Sequence, residues 1–225
     1  MKNTFFSSLL LIFSSFAFTQ KPSIENHYSI EGQLSYNPAS LQLNAPSFRM
    51  RYFIKDKIAT RLTVMIDNSI DRDYINVVPG NSSSAQGHII NKNLDMIINI
   101  GGEKHFIGTD KLSPYIGSDI LIGFGNTKRD LMNTDGISWI GNYTEKSYNP
   151  RNHVGLNIVG GTDYYFLNNF YAGLELGIGF ISTSTKAGKT VTQIIENQTT
   201  TLTPPSKEFL LTNNFIGNFR IGWRF

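Results

Sequence analysis

The chain has 225 residues, 40% of them hydrophobic and 16% charged, with a formal net charge of +3. Its basic residues form no run of five to eight Lys or Arg, which excludes the electrostatic footprint of a nucleic-acid partner. The absence of cysteine excludes a disulfide framework, thiolate-bound zinc, a thiol nucleophile and a lipid-modified N-terminal Cys, and it suits an oxidising compartment.

The only long apolar run opens the chain. Met1-Lys2-Asn3 forms a short basic n-region and Phe5 to Phe18 an apolar, Ser-rich h-region, with Ser15 and Ala17 at the spacing of a cleavage site. Residues 1–20 are therefore expected to be a secretory signal cut at about 17–20, leaving 21–225 as one domain. An uncut N-terminal anchor is the alternative. No later segment approaches the roughly 20 apolar residues of a spanning helix, so a membrane location requires strands.

From Tyr28 onward, apolar and polar residues alternate with a period of two, as in a strand with two unlike faces. Tyr28, Ile30, Leu34 and Tyr36 alternate with His27, Ser29, Glu31 and Gln33; Phe48, Met50, Tyr52 and Ile54 alternate with Ser47, Arg49 and Arg51. Ile58, Leu62, Val64 and Ile66 oppose Arg61, Thr63 and Asp67. Leu94, Met96, Ile98 and Ile100 oppose Asn93, Asp95 and Asn99, with Lys92 and Ile97 as exceptions to the alternation. A fifth segment sets Leu112, Ile116, Ile120, Ile122 and Phe124 against Tyr115, Gly117, Asp119, Gly123 and Gly125. A sixth sets Val154, Leu156, Ile158 and Tyr164 against His153, Asn157, Gly161 and Asp163; a seventh sets Phe170, Leu174, Leu176, Ile178 and Phe180 against Tyr171, Gly173, Glu175 and Gly177. The last runs from Phe209 to Phe225, with Phe215, Phe219, Ile221, Trp223 and Phe225 opposite Asn214, Asn218, Arg220 and Arg224.

Eight such segments predict an all-β, eight-stranded antiparallel up-and-down transmembrane β-barrel. Short turns at Lys55–Lys57 and Leu167–Asn169 and a moderate one at Gly108–Asp110 alternate with three long loops, Asn68–Gly87, Asn126–Asn152 and Ser182–Lys207. That asymmetry is expected of a barrel whose long loops are extracellular and whose short turns and C-terminus are periplasmic. A soluble lipocalin-like barrel shares the period but turns its apolar face inward, and period alone does not separate inside from outside. The signal, the one-sided loops and an aromatic band including Phe48, Tyr52, Tyr164, Phe166, Phe170, Trp223 and Phe225 favour the membrane.

Three stretches carry a family resemblance: Gly161 to Phe180, Leu112 to Asp119, and the terminal Gly222-Trp223-Arg224-Phe225. Over nearly the whole mature chain the sequence resembles the small outer-membrane β-barrels of the Bacteroidota, related in architecture to OmpA/OmpX-type barrels. The resemblance implies fold and location. It also implies an assembly signal, Phe225 with Trp223 two residues before it, read by the barrel-assembly machinery. Arg220 stands where such signals usually have glycine.

The charged residues of the polar face are the candidate site: Glu31, Asp95, Asp119 and Glu175 against Arg49, Arg51, Arg61 and Arg220. If the Lys55–Lys57 turn sets Ile54 opposite Ile58, Arg51 faces Arg61. Like charges so opposed are destabilising, and Glu31 and Asp95 are the expected compensation. The cluster reads as a structural plug of a lumen only wide enough for side chains, or alternatively as a gated ion path. His153 near Ser182 and Ser184 is the one pairing suggestive of lipid-modifying catalysis. No metal-ligand spacing, phosphate loop or cofactor signature is present. Trp139, Tyr143 and Tyr148, among polar residues of the second long loop, are candidates for surface recognition. The expected role is structural or interactive, in contact with outer-membrane lipid and lipopolysaccharide and with an extracellular ligand or envelope protein; a narrow pore and a lipid A-modifying enzyme are the alternatives.

Overall fold

The computed structural model describes residues 26–37, 42–43, 47–76, 86–210 and 216–225. The expected signal segment, residues 77–85 of the expected Asn68–Gly87 loop and the centre of the expected final strand lie outside them. The described chain forms strands β1 (Tyr28–Asn37), β2 (Gln42–Leu43), β3 (Ser47–Lys55), β4 (Ile58–Asn76), β5 (Gln86–His105) and β6 (Leu112–Thr134). These are followed by β7 (Trp139–Tyr165), β8 (Phe170–Thr185), β9 (Gly188–Ile194), β10 (Asn197–Thr203), β11 (Ser206–Leu210) and β12 (Ile216–Arg224). Antiparallel pairing runs β1-β3-β4-β5-β6-β7-β8-β12 and returns to β1, so eight strands form a ring. The ring leaves no free edge at membrane depth, which is what lets strands cross hydrocarbon.

The faces are inverted relative to a water-soluble barrel. Ser29, Glu31, Gln33, Arg49 and Arg51 are buried inside, while Tyr28, Ile30, Leu34, Phe48, Met50 and Tyr52 stand exposed on the outer surface. Among the described residues, 19 polar or charged side chains are buried against 10 hydrophobic ones, which excludes the lipocalin-like alternative with its apolar interior. Inward glycines make room for this polar filling. A Cβ on Gly173 would lie 2.6 Å from Nη2 of Arg220, and one on Gly101 would lie 2.2 Å from Oδ1 of Asp119.

The expected long loops are corrected by the structure: their described residues are largely strand. β4 and β5 stay paired from Ile58↔Lys104 to Asn76↔Gln86, and β6 and β7 stay paired up to Thr134↔Trp139. The Ser182–Lys207 loop is a further hairpin, in which β9 pairs with β10 from Gly188↔Thr203 to Ile194↔Asn197 and continues the β8–β11 ladder. β7, with 27 residues, extends roughly 90 Å at about 3.3 Å per residue, whereas a bilayer crossing needs only about 9–11 residues. The upper halves of β4, β5, β6 and β7 join β9 and β10 as a six-stranded wall above the barrel. Of the expected last strand, Phe209 and Leu210 end β11 and Ile216–Arg224 form β12, both paired to β8, with a register offset between Leu210↔Ile181 and Ile216↔Gly177.

Candidate functional site

The odd-numbered residues of β1, β3, β4, β5, β6, β7 and β8 and the even-numbered residues of β12 meet in the barrel interior near its short-turn end. Arg49 grips Glu175 with both terminal nitrogens, at 2.8 and 3.0 Å, and its Nε donates to Thr63 at 2.9 Å. Arg61 holds Asp119 through Nε and Nη2, each at 2.6 Å, and its Nη1 donates to Glu175 at 2.9 Å. Such two-point contacts fix orientation as well as charge. Arg220 donates to Glu31 at 3.0 Å and to Asp163 at 2.7 Å, joining β12 to β1 and β7.

Arg51 and Arg61 are direct cross-strand partners, although the turn sets Lys55, and not Ile54, opposite Ile58, with a register irregularity between Phe53 and Lys55. Their compensation is different from the expected one. Glu103 stands between them, 2.7 Å from Arg51 and 3.4 Å from Arg61, and Asp163 accepts from Arg51 at 2.8 Å. Of the expected pair, Glu31 is 4.0 Å from Arg51, and Asp95 belongs elsewhere. Glu103 and Asp163 are the two acids that the sequence reading left out of the cluster. Their odd numbers on alternating strands were the signal that placed them inside.

Tyrosine, asparagine and histidine side chains extend the network. Tyr115 donates to Glu175 at 2.7 Å, Tyr171 to Glu31 at 3.0 Å, and Asn218 to Glu175 at 3.2 Å. His105 bridges Glu103 and Ser113, at 2.9 and 2.8 Å. Arg51 lies over the Tyr171 ring and Arg220 over the Tyr115 ring, at 4.9 and 5.0 Å from the ring centres. Arg224 caps the short-turn end, its guanidinium 3.8 Å from the Phe53 ring centre and its Nε donating to Asn26 O. Charge-assisted bonds of this kind hold buried ions that would otherwise be expelled.

Asp95 forms a second, separate cluster toward the tall hairpins. Arg151 holds it through Nε and Nη2, and His153 meets it at 3.1 Å through Nε2 while its Nδ1 meets Thr183 Oγ1 at 2.9 Å. This cluster is partly open to solvent. Along β5 and β6 it is set off from the deep network by Ile97, half-buried, and Leu121, buried. Ile97 breaks the alternation because it faces this interior: a Cβ on Gly123 would meet both its Cγ1 and the His153 ring. Ser182 and Ser184 pair with Val154 and Asn152, on the parity opposite to His153, so it is Thr183 that reaches the imidazole.

The expected recognition residues Trp139, Tyr143 and Tyr148 do not form one loop surface. All three lie on β7: Trp139 at the hairpin tip opposite Thr134, Tyr143 buried with Ile89 and Leu131, and Tyr148 exposed on the other face. The pleat turns Tyr148 away from Tyr143, since residues an odd number of positions apart point to opposite sides. Trp223 and Phe225 stand on the outer surface at the short-turn end, Trp223 stacked on Phe170 at 6.0 Å between ring centres and Phe225 beside Tyr28 at 6.2 Å. Tyr52 continues this girdle at 5.1 Å from Tyr28, but Phe48 sits higher on the wall, level with Gly32 and Val64.

Residues 35–180 match the OmpA-OmpF-like porin family, more than half of the chain. Among solved structures, the chain is similar to the N-terminal β-barrel domain of Pseudomonas aeruginosa OprF, 17% identical with a TM-score of 0.37, covering 89% of this chain and 98% of that one. It is also similar to the outer-membrane protein AlkL, determined by solid-state NMR in DMPC bilayers, 13% identical with a TM-score of 0.27, covering 93% and 92%. No curated protein sequence matches the chain. Through the match over residues 35–180, and with a polar-cored ring of eight strands, the chain belongs to the OmpA-OmpF-like porin family of outer-membrane β-barrels.

Proposed function

We propose that this outer-membrane barrel is a non-conducting scaffold that presents a tall β-wall at the cell surface for recognition or adhesion. Its short turns and C-terminus lie in the periplasm, its terminal Trp223 and Phe225 serve the assembly machinery, and its lineage is that of the small Bacteroidota barrels. The observation that carries the reading is the deep charge network. The side chains of Glu31, Arg51, Arg61, Glu103, Asp163 and Arg220 have no solvent exposure, and their ion pairs span β1, β3, β4, β5, β7 and β12. An eight-stranded ring leaves room for side chains and little else, so a passing ion would have to break several buried pairs at once. A non-catalytic role is supported by the outward parity of Ser182 and Ser184, which turns these two candidate nucleophiles away from the His153 imidazole.

The porin family match favours a second reading, a narrow pore entered past Asp95, Arg151 and His153. Planar-bilayer recording of the purified, folded protein separates the two. Traces without discrete steps above membrane leak are expected, and stable single-channel steps would replace the scaffold reading with the pore.

A further inference from the structure

On β5 and β6 the lipid-facing parity is apolar as far as Leu94 and Phe124, and then it changes character abruptly. Two residues above Leu94 stands Lys92, one of the two residues that break the alternation of their segment, and four above Phe124 stands Lys128. The ladders place Lys92 opposite Lys128, Lys128 opposite Tyr148, and Tyr148 opposite Lys189. One row of the outer face thus reads Lys-Lys-Tyr-Lys across four strands. The row above it is Ile90, Asp130, Lys146 and Val191. Together they line an open groove of about 510 Å³ in which five cations, including Arg129, meet a single carboxylate, that of Asp130.

Directly opposed like charges destabilise a sheet unless something neutralises them. Inside the barrel the same problem, Arg51 opposite Arg61, is met by Glu103 from the chain itself. On the outer face none of Lys92, Lys128, Lys146 or Lys189 has an ion pair among the described residues. Lys128 rests its ammonium over the Tyr148 ring, 5.6 Å from the centre. The charge is left for an external anion.

Height identifies which anion. Two residues of strand are about 7 Å and four about 13 Å, and a strand tilt of about 35–45° reduces these to roughly 5 and 10 Å above Leu94 and Phe124. The polar zone of a bilayer is about 5–8 Å deep on each side, and lysine stems can bridge the remainder. From these observations we propose that the groove binds the phosphorylated saccharide headgroup of an outer-leaflet glycolipid. Lys92, Lys128 and Lys189 hold its phosphate, Lys146 adds charge from above, and the exposed Tyr148 face carries the sugar. The proposal rests on the membrane placement of the barrel and on the tall hairpins facing outward.

The test uses the folded protein in an uncharged detergent, where neither orientation nor conductance enters, so its failure is distinct from failure of the scaffold reading. Fluorescent lipopolysaccharide, its dephosphorylated form, inorganic phosphate and phosphatidylglycerol micelles are titrated against it. The phosphorylated lipopolysaccharide is expected to bind saturably, and loss of its phosphates or the triple change Lys92→Gln, Lys128→Gln, Lys189→Gln is expected to weaken binding at least about tenfold, as loss of charge-assisted contacts implies. Tyr148→Ala should weaken it without altering its salt dependence, and Lys55→Gln at the short turn should leave it unchanged. Heat-modifiable gel migration verifies that each variant is a closed barrel. A triple variant that binds within tenfold of the unmodified protein overturns the site, as does equal binding of inorganic phosphate or phosphatidylglycerol, which would reduce the groove to unspecific charge.

Discussion

Glu103 is the side chain whose loss should matter most for its size. Its side chain has no exposure and is the only carboxylate among the described residues that touches both Arg51 and Arg61. Replacing it with Ala removes the one carboxylate shared by two directly opposed guanidinium groups, leaving Arg51 to Asp163 and Arg61 to Asp119 and Glu175, and breaking a buried pair costs about 3–5 kcal/mol. Asp95→Ala, at a site open to water, is expected to cost distinctly less, because water screens what the carboxylate no longer does. Urea unfolding of both variants in the same lipid measures the contrast, and equal losses would show that the deep network is as hydrated as the upper one. The inward placement of these acids was legible in the sequence, since residue parity assigns each to a face. Which acid reaches which arginine was not legible: the Arg49–Glu175 contact spans 126 positions, and such pairs are set by ring curvature and strand stagger, which a one-dimensional period does not contain.

The tall hairpins show where the period itself runs out. Alternation is visible wherever one face meets lipid and the other the interior, and it fades when both meet water. Above Ile66 every residue of β4 through Tyr74 is exposed, so the composition there reads as loop although the backbone ladder with β5 continues without a break. At the tip between β6 and β7, local chemistry holds the turn. Asp135 Oδ1 accepts from the amides of Ile137 and Ser138, which draws its carboxyl below the usual range, and Gly136 takes a φ of +100°. A paired ribbon resists a protease that would cut a loop, because cleavage requires the ladder to open first. Trypsin added to intact cells is therefore expected to cut slowly at Lys128, Arg129 and Lys146, all within strands, and faster at Lys186, in the break between β8 and β9. Cutting at Lys55 or Lys57 with the envelope sealed would invert the orientation proposed above.

At the scale of the whole molecule, the ring depends on one seam. β12 is held between β8 and β1, with Ser29 facing Arg224 and Gly217 facing Tyr36. Deleting Trp223 through Phe225 removes the aromatic contacts with Phe170 and Tyr28 and three residues of pairing. In hydrocarbon an unpaired edge costs several kcal/mol for each backbone group left without a partner, so a partly closed ring is not a stable compromise. The truncated chain is expected to lose the compact, heat-sensitive gel band in outer-membrane fractions. A band like that of the full chain would show that closure does not depend on this terminus.

The seam also fixes an order of events. Each tall hairpin pairs neighbours along the chain and forms by local zippering, whereas Arg220 and Glu31 are separated by 189 positions, and such distant contacts come late because their entropy of encounter is lost before any contact returns it. Arg220 draws one carboxylate from β7, on its own side of the seam, and one from β1, across it. A chain that has zipped every hairpin but not yet met β1 therefore carries an arginine half neutralised, and a mispaired β1, slipped by one residue, would turn Glu31 outward and leave it so. Electroneutrality of the interior thus arrives together with the correct register and only then, so the last step of folding is also the one that rejects the wrong ring.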